Sequence, residues 1–149
     1  MKKLLLLTLA TVSLFGCATA TRLSIPPEEK NYRFVVHHSQ PRSQAFNNVE
    51  LALAESYEDL PSVLKVKQAE TGTYLLKPLI AYQVGGLATE YARYTLKIVV
   101  GNNSVTLDFE LGPDQEYGTW APQTEIPKIK ASFQGVASEV AKAVGGTMQ

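Results

Sequence analysis

The sequence predicts an α+β fold: a two-layer sandwich with an antiparallel sheet of about five strands and two helices on one face, in the order β-α-β-β-β-β-α. Three observations carry this expectation. Two segments, one opening near Pro41 and one near Pro127, place apolar residues three and four apart, the period of a helix with one buried stripe. The segments before and between them alternate apolar and polar residues, the period of a strand with one covered face. Turn formers separate these segments at short intervals, which favours antiparallel neighbours. One apolar face per strand and one stripe per helix are satisfied together when both helices lie on one side of the sheet and water on the other.

The chain of 149 residues opens with a segment outside this fold. Met1-Lys2-Lys3 is a basic start, and residues 4–15 form an apolar run. A spanning helix needs ~20 residues, so the run fits the core of a secretory signal peptide. Leu14-Phe15-Gly16-Cys17 closes it. These four residues resemble the lipobox of bacterial lipoproteins. The resemblance implies a diacylglyceryl thioether on Cys17, cleavage after Gly16, and acylation of the new amine by a fatty acid such as palmitate. Ala18 stands where that family uses Asp for inner-membrane retention, which implies the periplasmic face of the outer membrane over the inner membrane. An ordinary signal peptide with an incidental Cys is the alternative. Cys17 is the only cysteine, which excludes an intrachain disulfide and a Cys-rich zinc site.

Residues 1–16 are thus a cleaved signal, 17–30 the lipidated Cys and a tether extended at Pro26-Pro27, 31–145 a single domain, and 146–149 a C-terminal tail. The precursor carries 14 basic and 14 acidic residues; loss of Lys2 and Lys3 leaves 12 against 14. That balance does not suit a nucleic-acid binder working by bulk charge. With 45% hydrophobic and 19% charged residues, global disorder is excluded as well.

The first strand is expected over residues 32–38, with Tyr32, Phe34 and Val36 on one face. Ser39 as cap and Pro41 in the first turn then start a helix with the stripe Phe46, Val49, Leu53, Tyr57 and Leu60, ending before Pro61. Residues 63–69 read as a strand, Thr71-Gly72 as a turn, and residues 73–84 as a longer strand in which Pro78 marks an edge or a bulge. After Gly85-Gly86, residues 91–100 set Tyr94, Leu96, Ile98 and Val100 against Arg93, Thr95 and Lys97. Gly101-Asn102-Asn103, residues tolerant of positive φ, turn the chain into Val105, Leu107, Phe109 and Leu111 alternating with Thr106, Asp108 and Glu110. A loop containing Tyr117 and Trp120 leads to a helix capped by Thr124, with Pro127 in its first turn. Its stripe is Ile126, Ile129, Phe133, Val136, Val140 and Ala143, and Gly145-Gly146 ends it.

Over about residues 31–144 this order resembles the bacterial lipoprotein domain of unknown function with a TATA-binding-protein-like (TBP-like) fold. The YRFVV strand entering a helix, the GTYLLKP segment, the YTLKIVV…VTLDFEL hairpin and the closing helix carry the likeness. It implies the fold. It brings no activity, cofactor or catalytic residue, and DNA binding does not follow from the fold name.

Several residues invite a functional reading. His37 and His38 are neighbours on a strand and point to opposite faces, so they cannot chelate one metal together; a structural strand-end His is the plainer reading. Asp108 and Glu110, two apart, suit acid–base chemistry or a solvated face partnered by Lys97 or Arg93. No GxSxG, CxxC, Walker or GxGxxG element occurs. No catalytic residue, metal or cofactor is therefore expected. The open sheet face is expected to gather Arg33, His37, Lys65, Lys67, Lys77, Arg93 and Lys97, including six of the 12 bases left after cleavage. Such a face either solvates the sheet and blunts its edges or docks an anionic partner, an envelope protein or anionic lipid. Tyr117 and Trp120 are either a loop anchor for a partner or a plug at the edge of the core. The expectation is a non-enzymatic, lipid-anchored envelope lipoprotein presenting an interaction domain. The alternatives are an accessory lipoprotein of outer-membrane assembly or lipopolysaccharide transport, and a hydrolase or small-ligand-binding domain with a pocket between sheet and helices.

Overall fold

In the computed structural model, which describes residues 29–84, 88–112 and 125–149, the two sequence periods become elements near where they are expected. The first alternating segment is strand β1 (Asn31–His37). Helix α1 (Arg42–Ser56) follows with Pro41 at its cap position and no side-chain cap. Ser39 lies two residues too early to reach the first turn, so the expected cap is not formed. The stripe is real: Phe46, Val49 and Leu53 are buried with Ala45 and Ala52. It does not extend to Leu60, because Tyr57 turns extended at φ −128° and ψ 113°. Leu60 and Pro61 instead open a one-turn helix, α2 (Leu60–Val63). The Asp59 carboxylate accepts the Ser62 N–H at 3.3 Å, and Pro61 occupies the first turn, where a missing donor costs little.

A hairpin of β2 (Leu64–Gln68) and β3 (Thr73–Leu76) turns at Gly72, whose φ is +68°. Strands β4 (Leu79–Val84), β5 (Ala88–Val100) and β6 (Ser104–Leu111) complete a meander. Helix α3 (Ile126–Ala143) closes the domain, with Glu125 at its cap and Pro127 in the first turn. The expected cap Thr124 lies outside the described residues. The helix stops as the glycines require: Gly145 takes φ +60°, and the Gly146 N–H reaches back to the Ala141 carbonyl at 2.8 Å. Within the stretch read as a tail, β7 (Thr147–Met148) pairs with the end of β1.

The sheet runs β2-β3-β5-β6-β1-β7, with β4 also on β5, every pairing antiparallel. That makes seven strands among the described residues rather than about five. Two of them answer to the single long strand expected over residues 73–84. The register Leu76↔Leu96 resumes at Leu79↔Arg93 without a slip, so Pro78 interrupts the ladder only by lacking a donor. Its carbonyl still accepts the Tyr94 N–H at 3.1 Å. The bulge lies elsewhere, between Leu64 and Val66 of β2. The Gly101-Asn102-Asn103 turn is present, but positive φ occurs among the described residues only at Gly72 and Gly145.

Both helices cover one sheet face, as expected. On it lie Val36, Tyr74, Leu76, Tyr94, Leu96, Ile98, Val105, Leu107 and Phe109, all buried. Phe46 of α1 stacks on Tyr74 at 4.4 Å, and the Tyr74 hydroxyl donates to the Phe46 carbonyl at 2.9 Å. Phe133 of α3 stacks on Phe109 at 4.5 Å and meets Tyr94 at 4.8 Å and Tyr32 at 5.6 Å. These rings fill the space between the layers. Burial pushes the Tyr94 phenol up to about 12, against the effect of its 2.9 Å hydrogen bond to the Tyr57 hydroxyl.

Candidate functional site

The site is built on the uncovered sheet face, where the odd-numbered residues of β1, β3, β4 and β5 and the even-numbered residues of β6 point away from the helices. Strand parity brings most of the expected residues together. Arg33, Asp108 and Lys97 stand abreast on β1, β6 and β5 through the pairs Arg33↔Asp108 and Lys97↔Asp108. The next row sets Asn31, Glu110 and Thr95 side by side, and the unbroken register places Lys77 across from Thr95 on the other side. Arg93 lies two residues before Thr95 on the same strand. His37 is exposed on this face, at the far end of β1.

Arg33 grips Asp108 with two contacts, Nε to Oδ1 at 2.5 Å and a terminal nitrogen to Oδ2 at 3.1 Å. That hydrogen bonding, and then the carboxylate charge, hold the guanidinium still more firmly in its charged form. Asp108 is thus committed as a counter-ion, the solvated-face reading of that residue. Around this pair the surface dips into a concavity of about 500 Å³ between Asn31, Leu75, Thr95, Lys97 and Glu110. It is an open hollow on a flat sheet.

Two expected members of the face turn elsewhere. Lys67 pairs with Tyr74, a core residue, so it points to the helix side, and its ammonium holds both Glu50 carboxylate oxygens of α1 at 2.6 and 2.7 Å. The bulge between Leu64 and Val66 is the cause, since one extra residue flips the parity of every residue after it in the strand. Lys65 sits in the bulge, and its ammonium donates to the Ser62 carbonyl at 2.6 Å. Contrary to the expectation that no S-x-x-K element occurs, Ser62-Val63-Leu64-Lys65 has that spacing, and it ends in this same contact. The Ser62 hydroxyl donates to the Asp59 carbonyl instead of meeting the amine, so the pair does not form a nucleophile and base.

His37 and His38 separate as expected: His37 is exposed, while His38 is buried, and both of its ring nitrogens lack a hydrogen-bond partner. Among the described residues no three His, Cys, Asp or Glu side chains cluster as metal ligands. A second polar group, not anticipated, links β4 to α3. The Glu125 carboxylate accepts from Lys128 at 2.7 Å and from the Gln83 N–H at 3.2 Å. The Lys128 hydrogen bond, then the Gln83 N–H, holds that carboxyl below its ordinary value. The i,i+3 spacing of Glu125 and Lys128 is visible in the sequence, but their contact with Gln83 on the edge strand β4 is not. Beside them is a cleft of about 170 Å³ between β4 and α3. Cys17, Tyr117 and Trp120 lie outside the described residues. Among those that are described, no helix is long and apolar enough to cross a membrane.

No family model matches the chain, and no curated protein matches it. Solved structures are similar in fold. A TBP-like protein from Parabacteroides distasonis ATCC 8503 superposes with a TM-score of 0.56 at 13% identity, covering 78% of this chain and 96% of that one. A DUF4468 family protein from Bacteroides ovatus ATCC 8483 superposes with a TM-score of 0.51 at 9% identity, covering 83% of this chain and 91% of its own. At such identities the likeness speaks for architecture alone, and that architecture is the TBP-like α+β fold expected from the sequence.

Proposed function

We propose that the chain is a non-enzymatic envelope lipoprotein, held by lipid on Cys17, whose α+β domain offers its uncovered sheet face to another component of the envelope. One observation carries the anchor: Cys17 is the sole cysteine, and it closes the apolar run in Leu14-Phe15-Gly16-Cys17. Several acyl chains at ~0.8 kcal/mol per buried CH₂ hold a small domain stably at a membrane. The docking role is supported by the cations of the open face, where Arg33, Lys77, Arg93 and Lys97 outnumber the carboxylates Asp108 and Glu110 that lie among them. The domain is read as a binding module because, among the described residues, Tyr94, Phe109 and Phe133 fill the centre of the space between sheet and helices and leave only the small cleft between β4 and α3. Metabolic labelling tests the anchor. The wild-type chain expressed in a Gram-negative host should incorporate labelled palmitate and Cys17→Ser should not. An unlabelled wild-type chain, or label retained by the variant, overturns it.

A further inference from the structure

The cations of the open face fall into two groups. Arg33 is held by Asp108, whereas the side chains of Lys77, Arg93 and Lys97 have neither an ion pair nor a hydrogen bond among the described residues. These three surround the Thr95 hydroxyl, Lys77 across from it and the other two on either side along β5. The pleat spacing puts diagonal neighbours ~7–8 Å apart, within reach of one another's long side chains. Two carboxylates of β6 adjoin them: Glu110 opposite Thr95, and Asp108 opposite Lys97 but already gripped by Arg33. Directly beside the cations, on the same face, Leu79 and Tyr91 each expose 54% of their surface. The pairs Leu79↔Arg93 and Ala81↔Tyr91 make them part of the same patch.

We propose that this patch is a membrane-contact surface that seats the domain on bilayers bearing anionic phospholipid headgroups. Charge complementarity favours that occupant, because three flexible, uncommitted cations on an open ribbon suit many mobile headgroups. A fixed acidic site would reward a bidentate fork, which here only Arg33 forms, and with an internal partner. The two exposed apolar residues fit as well. A Tyr has an apolar body and a polar tip suited to the headgroup boundary, and Lys and Arg keep their heads wet while their stems lie along apolar surface. The inference rests on the docking role assigned above to the open face, but not on Cys17.

The test uses a chain starting at residue 18, so that neither the apolar run at residues 4–15 nor a lipid on Cys17 contributes to binding. Its sedimentation with phosphatidylcholine vesicles is measured with and without phosphatidylglycerol, across a salt series. Binding is expected only to the anionic vesicles and should fall as salt rises. The triple variant Lys77→Gln, Arg93→Gln, Lys97→Gln should bind ~100-fold more weakly, about five-fold per charge removed near the surface. Leu79→Ser with Tyr91→Ser should weaken binding at every salt concentration. The double Lys130→Gln, Lys142→Gln on α3, on the opposite side, should bind like wild type. Circular dichroism checks that each variant is folded. A wild-type chain indifferent to anionic vesicles, a β4–β5 triple that binds unchanged, or an α3 double that loses as much, each overturns the proposal. Should the vesicles fail while Cys17 still takes up palmitate, the contact surface is wrong and the anchor stands.

Discussion

Phe133→Ala removes the side chain on which the two layers converge. Phe133 is fully buried and meets rings from three strands: Tyr32 on β1, Tyr94 on β5 and Phe109 on β6. Truncating a buried Phe costs ~3–5 kcal/mol. The site should fall in the upper part of that range, because ring pairs add ~0.5–1.5 kcal/mol each beyond area and three are lost together. A loss of ~4–5 kcal/mol is comparable with the ~5–15 kcal/mol that holds most domains folded. Phe133→Leu, which keeps most of the volume, should lose no more than ~1.5 kcal/mol. Urea denaturation followed by circular dichroism reads both, with an unchanged m-value showing that the denatured state is the same. In a double-mutant cycle, Phe133→Leu and Phe109→Leu should couple rather than add, since the rings stack at 4.5 Å. A loss below ~2 kcal/mol for Phe133→Ala at constant m would refute the claim that these rings tie helix to sheet.

Other outcomes rest on single features. Gly72→Ala should cost ~2–4 kcal/mol, read by urea midpoint, because φ is +68° and an added Cβ would collide with the Val100 carbonyl oxygen. Burial, and then the neighbouring Tyr94, push the Tyr57 phenol far above its ordinary value, and burial raises Tyr74 as well. The fold therefore holds these phenols neutral: their contribution is intact below the unfolded value of ~10 and is lost as pH rises beyond it, so tyrosinate absorbance should appear together with unfolding in alkali. Tyr57→Phe should cost ~1–2 kcal/mol by leaving the Tyr94 hydroxyl without its 2.9 Å partner, and a neutral result in urea denaturation would sink that assignment.

The sequence made the layers legible because period is a property of adjacent residues. Tyr94 to Val100 and Val105 to Leu111 alternate cleanly, and both strands form with those residues buried. The helical stripes succeed in part for the same reason: Phe46, Val49, Leu53, Ile126, Ile129, Phe133 and Val140 are buried, whereas Tyr57 and Leu60 lie outside α1, and Val136 and Ala143 are half-buried beside the buried Ala137 and Ala141. What escaped depends on partners distant in sequence. Residues 73–84 carry apolar groups on both faces, so their division at Pro78 and their unbroken register on β5 could be read only once β5 was beside them. Parity was carried through residues 63–69 as if unbroken, and the bulge between Leu64 and Val66 sent Lys67 to Glu50. The two residues of β7 have no period at all; pairing with Val36 and His37 makes them a strand. On the candidate face, location was legible but commitment was not. Arg33 and Lys97 look alike in sequence, and only the geometry shows that Asp108 occupies one and leaves the other free.

The position of β1 bears on how the chain reaches its folded state. Of the described strands it is made first, yet its neighbours are β6 and β7, and the Arg33–Asp108 contact spans 75 residues. The meander from β2 to β6 needs only short loops, so it can close early at little entropic cost. Strand β1 must wait for β6, and for β7 beyond α3, before it has neighbours to pair with. Folding of this domain should thus be gated by a late, long-range docking step, slower than its size alone would suggest.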